Sequence, residues 1–337
     1  MRERITFTII PTYKCNMYNY CSYCYAKEMS DKYGEISVEN FRNIINWLNE
    51  EYKKVEIVLI GGESTMHSKF DELLSIMNEN IKSAKLYTNN MYGEDILNLI
   101  LRSPVLKKFN IHYEEKYFFN EELKKRYMHN IDTLYNDGRM INLRFNINSS
   151  DFEYENVLNL AQKYKALILY SISAPGGGNN DYVPIEFVES FAPRLLSFVK
   201  DANEMGIKLK SARPLPFCSF SESELEYLID KGGMKGCCSP YKAINPDMSV
   251  LGCSSLIDFG MIKVQNKNEF IKSLDDFEYL INEAKWEHMS IGNCEECNYF
   301  HKKICQGGCL TYKGPLFNNP LEGGVISSCS MNFYDRH

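Results

Sequence analysis

Cys15-Asn-Met-Tyr-Asn-Tyr-Cys21-Ser-Tyr-Cys24 places three cysteines at C-x5-C-x2-C spacing, just after a short apolar run, Ile5 to Ile10, that Pro11 closes. Apolar and threonine side chains fill that run, so it reads as a buried first strand. The cysteines fall in the loop that leaves its C-terminal end, where parallel barrels carry their chemistry. Cysteine thiolates hold iron–sulfur clusters, four for a fully ligated cube. Three leave one iron open, as three protein ligands leave a catalytic zinc open. An open iron can bind a substrate or a cofactor. A zinc loop, or simply three buried thiols, is the plain alternative.

Outward from that loop, strand and helix patterns alternate to about residue 210. Val38, Phe41, Ile44, Ile45 and Leu48 recur at helical spacing, Val55–Ile60 reads as a second strand, and Phe70, Leu73, Leu74 and Met77 mark the next helix. Strands three to six read over Ala84–Thr88, Phe109–Glu115, Ile141–Ile147 and Ala166–Ile172. Helices lie between them around Asp95–Leu101, Leu123–Leu134 and Val157–Tyr164. A last helix opens at Pro184, stops at Gly206 and is expected to kink at Pro193. Six βα units with short connections predict an α/β fold, a parallel sheet covered by helices. Right-handed crossovers would curl it into a partial (β/α)6 barrel over residues 1–210, although the pattern alone also allows a flat doubly wound sheet.

The strand ends carry a second layer of signal. Gly61-Gly62-Glu63-Ser64-Thr65 ends strand two. Glycines let a ligand approach the backbone, and a carboxylate there can accept a hydrogen bond from an ammonium. Thr88-Asn89-Asn90 ends strand three. Strand four alternates Asn110, His112 and Glu114 with Phe109, Ile111 and Tyr113; strand five alternates Asn142, Arg144, Asn146 and Asn148 with Leu143, Phe145 and Ile147. Period two puts each set on one face. The apolar sets should face the helices and the polar sets the barrel interior, where unpaired polar groups cost free energy unless a polar ligand meets them. Arg144 is the candidate for a carboxylate, which a guanidinium binds bidentately. Glu114, His112 and Tyr113 are the nearby acid or base candidates. Residues 171–180 form a glycine-rich loop that either covers the site or only connects.

Composition sets limits. The 337 residues carry 38 Lys and Arg against 44 Asp and Glu, a net charge of −6. No basic patch dominates, so nucleic acid is not an expected partner. Hydrophobic residues make up 44% and charged residues 24%, the balance of a soluble globular protein. No apolar run approaches the ~20 residues of a membrane span, and the N-terminus lacks the apolar core of a signal peptide. A cytoplasmic setting is expected, where thiols stay reduced. Twelve cysteines in such a chain argue for metal or clusters rather than disulfides.

The barrel-like alternation stops after Ser211, and residues 211–337 hold nine of the cysteines. Tyr241–Ile244 and Ser249–Gly252 flank Asn245-Pro246-Asp247-Met248, a hairpin turn that brings Cys238 near Cys253. A helix with Phe270, Leu274, Phe277, Ile281 and Ala284 on one stripe follows. Next come Cys294-x2-Cys297-x7-Cys305-x3-Cys309 and, after a gap, Cys329. One zinc could take the C-x2-C with the C-x3-C, but Cys238, Cys253 and Cys329 would then have no role.

Together these residues resemble the radical S-adenosylmethionine (SAM) family with a SPASM-type auxiliary-cluster extension. Cys21, Tyr23 and Cys24 match the second half of the usual C-x3-C-x-aromatic-C signature, and the gap after Cys15 is two residues longer. Gly61, Gly62, Glu63 and Ser64 resemble its Gly-Gly-Glu-Pro motif, with serine for proline, and Thr88-Asn89-Asn90 its Thr-Asn-Gly. Cys238, Cys253, Cys294, Cys297, Cys305, Cys309 and Cys329 match the extension's seven cysteines in order. The third gap is seven residues rather than five, and Met248 replaces the turn glycine.

The resemblance implies a 4Fe-4S cluster on Cys15, Cys21 and Cys24 with SAM on its open iron. Glu63 would hold the SAM amino group and Arg144 its carboxylate, with Tyr23, Gly61, Gly62, Ser64, Asn89, His112, Glu114 and Asn146 around it. It implies two auxiliary 4Fe-4S clusters. The first would take Cys238, Cys253 and Cys309, with Cys237 or Cys218 competing as fourth ligand, or an open iron. The second would take Cys294, Cys297, Cys305 and Cys329. The implied activity is reductive SAM cleavage to a 5′-deoxyadenosyl radical that takes hydrogen from a peptide substrate, as in ribosomal-peptide maturases. An electron donor such as flavodoxin or ferredoxin would feed it. With a first strand at about residue 5, leader recognition would fall to a partner protein or to the barrel. Formylglycine formation, as in sulfatase maturation, or a small-molecule dehydrogenase is the alternative within this chemistry. A zinc or Fe–S binding module is the alternative outside it.

Overall fold

Alternating aliphatic residues build the sheet. In β5 (Met140–Ile147) the side chains of Ile141, Leu143, Phe145 and Ile147 are buried, while Asn142, Arg144 and Asn146 keep partial exposure. That is the period of a pleated strand with two different faces. A computed structural model of the chain describes residues 1–24, 26–175, 181–239, 241–253, 261–287 and 294–312. Parallel pairing runs through β1 (Arg2–Ile9), β2 (Tyr52–Leu59), β3 (Ser83–Thr88), β4 (Leu106–Tyr113), β5, β6 (Leu167–Ile172) and β7 (Leu209–Ser211), in sequence order. The loop after β1 holds α1 (Ala26–Lys32). The connections from there onward carry α2 (Val38–Glu51), α3 (Phe70–Asn80), α4 (Glu94–Arg102), α5 (Glu121–Asn136), α6 (Glu155–Lys163) and α7 (Ala192–Glu204). Their apolar stripes, such as Phe41, Ile44, Ile45 and Leu48 of α2, pack on the apolar face of the sheet as one continuous core. Side-chain caps start two of them: Ser37 accepts from the Asn40 N–H, and Asn120 from those of Glu122 and Leu123. The expected partial (β/α)6 barrel is the observed architecture.

The kink expected at Pro193 does not form. Residues Ile185–Phe191 make a 3-10 segment and α7 begins after it, so Pro193 lies in the first turn of the helix. A proline there gives up only an N–H that has no intrahelical partner anyway. Within the barrel two elements had no signal in the pattern, α1 and β7; β7 is three residues long, too short to show a period.

Past β7, itself an edge of the sheet, the chain returns to the opposite edge. After α8 (Glu222–Asp230), β8 (Ala243–Ile244) and β9 (Ser249–Leu251) form the expected hairpin, and β10 (Ile262–Lys263) adds to it. β8 pairs in parallel with β1, at Thr8 and Ala243, so one sheet runs β10-β9-β8-β1-β2-β3-β4-β5-β6-β7 across the expected boundary at residue 210. In the hairpin turn Met248 takes a left-handed backbone, φ 69°, where glycine would be unstrained. α9 (Lys267–Glu287) lies on the outer face of β1. The Phe270 ring meets Phe7 edge-on at 5.3 Å and Trp47 at 5.5 Å, and Leu274 and Phe277 enter the same core. α10 (Asn298–His301) follows among the last cysteines. Among the described residues no helix is long and apolar enough to cross a membrane.

Low in the barrel interior, Glu56 of β2 ties the strands together. It accepts from Lys108 Nζ of β4 at 2.7 Å, Ser83 Oγ of β3 at 3.3 Å and Thr6 Oγ1 of β1 at 3.4 Å. Burial pushes this carboxyl up, but the Lys108 ammonium and the hydrogen bonds outweigh it and hold it below the ordinary 4.5. Two outcomes follow for urea unfolding of the reconstituted protein. Phe270→Ala should lose about 3–5 kcal/mol, because it opens a cavity under α9. Glu56→Gln should lose about 1–3 kcal/mol at neutral pH. That loss should be full above pH 4.5 and fade below it, where the unfolded chain takes up a proton before the native carboxylate does.

Candidate functional site

The three-cysteine loop is clamped from behind by the end of β2. Ile60 N–H donates to Ile9 O, Gly62 N–H to Thr12 O at 3.1 Å and Glu63 N–H to Lys14 O at 2.7 Å. A side chain at either glycine would strike this backbone. A Cβ on Gly61 would lie 2.3 Å from Thr12 O, and one on Gly62 2.1 Å from Tyr13 O and 2.4 Å from Lys14 O. Glu63 is 1% exposed. Its carboxylate accepts from Thr65 Oγ1, Thr88 Oγ1 and the Asn89 N–H at 2.7–3.0 Å, tying β2 to the end of β3. Burial nevertheless raises its carboxyl above the ordinary range. Ser64 Oγ is buried with no hydrogen-bond partner. Asn89 Nδ2 reaches back to Asn16 Oδ1 at 2.7 Å and to Cys15 Sγ at 3.6 Å.

Tyr23 crosses the barrel mouth to β4 and β5. Its hydroxyl donates to Glu114 Oε2 at 2.8 Å, lies 3.0 Å from His112 Nε2 and also meets Asn146. Cys21 Sγ is 3.6 Å from both His112 Nε2 and Tyr117 Oη. Cys24 Sγ takes hydrogen bonds from the backbone of Ala26 and Lys27 at the start of α1. Tyr23, His112, Glu114 and Asn146 therefore share one lumen with the cysteines. Tyr113 does not. Its ring packs on Phe118 and Phe145 on the other face of β4, and its hydroxyl donates to Glu115.

Arg144 sits deep in the barrel with part of its surface open to the lumen. Its guanidinium lies 5.9 Å from the Tyr87 ring centre. Among the described residues no carboxylate pairs with it. Burial, and then the charge of Arg213, pull its pKa below the usual guanidinium value. A cation so placed favours an anionic ligand.

Beyond β7 the remaining cysteines fall into two groups. Cys238 and Cys253 pack on Ile281 and Leu310. Arg213 Nη1 lies 3.9 Å from Cys309 Sγ and feels the charges of both Cys309 and Cys253, while burial and then Cys309 raise the Cys238 thiol. Cys238, Cys253 and Cys309 are thus neighbours around Arg213. Gln306 Oε1 accepts from the Cys238 N–H at 2.8 Å. Cys294 and Cys297 share a tight turn, Cys297 N–H to Cys294 O at 3.1 Å, and Cys305 follows α10. Cys218 lies with these three, and Cys237 Sγ donates to Ile304 O at 3.3 Å. Cys329 and residues 176–180 of the glycine-rich loop lie outside the described residues.

The thiols suit clusters better than single ions. Among the described residues only Cys21, His112 and Glu114 bring three possible ligand atoms within 4.8 Å of one another, and the Tyr23 hydroxyl already knits His112 to Glu114. A tetrahedral zinc with Zn–S at about 2.3 Å would draw its sulfurs closer together than any three thiols stand among the described residues. A cube spreads its ligands over separate corners. Burial pushes the Cys15 and Cys21 thiols up to about 12 and raises Cys24, so a cation must draw on these sulfurs before they ionise at neutral pH.

Tyr117, Asn16 and Arg213 join the site without having stood out in the sequence. Tyr117 is one of 23 tyrosines, and Arg213 follows a strand too short to read. The spacing of Asn16, one residue after Cys15, was the only available signal.

The comparisons with known proteins agree with this geometry. Residues 9–190 match the profile of the Radical SAM superfamily. Over 108 residues the chain is 31% identical to a protein of Methanocaldococcus jannaschii named as a candidate glycyl-radical enzyme activating enzyme; the match covers 32% of this chain and only 41% of that protein's length. Streptococcus suis SuiB bound to S-adenosylmethionine is similar at TM-score 0.65 and 15% identity, over 96% of this chain and 76% of its own. SuiB bound to the precursor peptide SuiA gives 0.65 and 17%, over 97% and 76%. anSMEcpe with AdoMet and the Kp18Cys peptide gives 0.62 and 17%, over 91% and 89%. These likenesses concern the fold. With the profile spanning more than half of its length and the cysteine loop at the barrel mouth, the chain belongs to the Radical SAM superfamily.

Proposed function

We propose that this chain is a SAM-dependent radical enzyme that takes hydrogen from a peptide, a maturase of ribosomally made peptides. Cys15, Cys21 and Cys24 would hold the SAM-binding cluster, and the C-terminal cysteines two auxiliary clusters in a SPASM-type arrangement. The observation that carries the reading is the barrel mouth. A three-thiol loop, the glycine clamp behind it and Arg144, which no acid pairs among the described residues, open on one lumen.

Bound there and given one electron from the cluster, SAM would split at its S–C5′ bond into methionine and a 5′-deoxyadenosyl radical; the chain's residues would orient it and keep the site dry. Arg144 offers paired N–H groups to the methionine carboxylate. Glu63 sets a buried carboxyl beside the loop, and an ammonium next to it would restore its charged form. Tyr23, His112, Glu114 and Asn146 present hydroxyl, imidazole, carboxylate and amide to one lumen, the groups a ribose can meet. Holding the radical within reach of one substrate carbon sets which bond reacts.

The peptide part is supported by the two solved neighbours whose structures contain a precursor peptide and the Kp18Cys peptide. A second reading, activation of a glycyl-radical enzyme, has the archaeal relative behind it. That match covers 32% of the chain, and the reading gives the C-terminal cysteine groups no task.

The test is anaerobic reconstitution with iron and sulfide, then SAM, dithionite and peptides encoded beside the gene. 5′-Deoxyadenosine should form, with a mass change in one peptide. Cys24→Ala should form none. A wild-type protein that carries clusters yet releases no 5′-deoxyadenosine would refute the reading. Arg144→Met should weaken SAM binding at least tenfold, about 1.4 kcal/mol, in equilibrium dialysis. Decarboxylated SAM should bind the variant and the parent alike, because the lost contact is to the carboxylate.

A further inference from the structure

Cys218 lies past β7, the last strand of the barrel. It belongs to a short turn, Phe217–Ser219, that is packed into the segment carrying the last cysteines. The Phe217 ring meets Tyr299 edge-on at 5.5 Å. Tyr299 O accepts from the N–H of Cys305 at 3.1 Å. Gly236 is pinched between the two segments. A Cβ there would lie 2.7 Å from Phe217 Cζ, 2.9 Å from Cys305 Cα and 2.4 Å from Ile304 O. Its carbonyl accepts from Gln306 N–H at 2.9 Å. Three stretches, 217–219, 236–238 and 294–306, therefore form one packed unit.

Within that unit the thiols that bear on Cys218 are Cys305, Cys294 and Cys297, in that order, after burial. These are three of the four cysteines assigned above to the second auxiliary cluster. Gly307 N–H points at Cys305 Sγ at 3.4 Å, the kind of backbone donor that supports a ligating sulfur. Cys237, the other unassigned thiol, is turned away to the backbone carbonyls of Lys303 and Ile304.

We propose that Cys218 is the fourth thiolate of the second auxiliary cluster, completing the set Cys218, Cys294, Cys297 and Cys305. The proposal rests on the reading that the C-terminal cysteines hold clusters. It assigns a ligand from upstream of the hairpin, where the seven-cysteine pattern supplies Cys329. It also leaves the first auxiliary set, Cys238, Cys253 and Cys309, with three thiols, as at the barrel mouth.

Two measurements test it on the full reconstituted chain. The first needs no substitution. Cys218 is exposed in the thiol form, so iodoacetamide should label it readily after iron is stripped with a chelator. In the cluster-loaded protein its labelling, mapped by mass spectrometry, should fall at least tenfold. Equal labelling in both forms overturns the proposal. The second compares Mössbauer and EPR spectra of Cys218→Ala with those of Cys294→Ala and Cys309→Ala, each checked for native circular dichroism. The Cys218→Ala spectrum should match that of Cys294→Ala, with one auxiliary cluster lost or reduced to three irons. A match to Cys309→Ala, or to the parent, overturns it. If the parent holds only about four irons, the content of one cube, the reading of auxiliary clusters fails instead, and the iron count separates the two failures.

Discussion

The backbone contact between residues 60–63 and residues 9–14 is the constraint on which the site depends. Parallel pairing of β1 with β2 continues past the strand ends through Ile60, Gly62 and Glu63. The loop that carries Cys15 is therefore held as an extension of the sheet, although it has no regular structure of its own. Only glycine fits, because the carbonyls of Thr12, Tyr13 and Lys14 occupy the space of any Cβ. A loop bearing three ionisable thiols would otherwise relax toward solvent, where thiolates are better hydrated. Here it is fixed at two of its ends: Glu63 and Asn89 hold the Cys15 side, and the Tyr23 hydroxyl holds the Cys21 and Cys24 side against β4 and β5.

The barrel interior shows two ways of placing charge in a poorly hydrated space. Glu56 lies low among Lys108, Ser83 and Thr6, and its charge is answered by the protein itself. Arg144 lies higher, beside the Tyr87 ring and facing a second cation, Arg213, with no acid among the described residues to answer it. The first arrangement stabilises the fold; the second holds free energy that an anionic ligand can recover. The difference separates a charge answered within the protein from one left for a ligand to answer, on the same face of the same sheet.

The cysteine-rich region is built onto the barrel through its first strand. β8 pairs with β1, α9 covers the outside of β1, and the Tyr13 hydroxyl of the cysteine loop donates to Asn245 Oδ1 in the hairpin turn at 2.6 Å. Arg213 then stands between Arg144 in the lumen and the thiols of Cys309 and Cys253. These contacts join the mouth of the barrel to the first of the later cysteine groups.

Much of this was legible in the chain itself, because period-two and helical patterns follow from geometry local to a few residues. They marked six strands, their helices, the hairpin and the inward polar sets of β4 and β5. Motif spacing marked the cysteine loop and the glycine pair. What the tertiary structure alone decided was proximity between segments far apart in sequence. Pro193 moved from an expected kink to a first helical turn, because the segment before it closed as a 3-10 run. β7 formed because β6 offered it an edge, although three residues carry no period. Tyr113 was turned from the site by the same alternation that turned His112 into it. The turn of Cys218, 76 residues before Cys294 by number, was brought to the segment of the last cysteines by the packing of Phe217 on Tyr299. Sequence determines which residues can bear the chemistry, since that depends on side-chain type and local spacing. Which of them meet depends on how the layers pack, and that is a property of the whole fold.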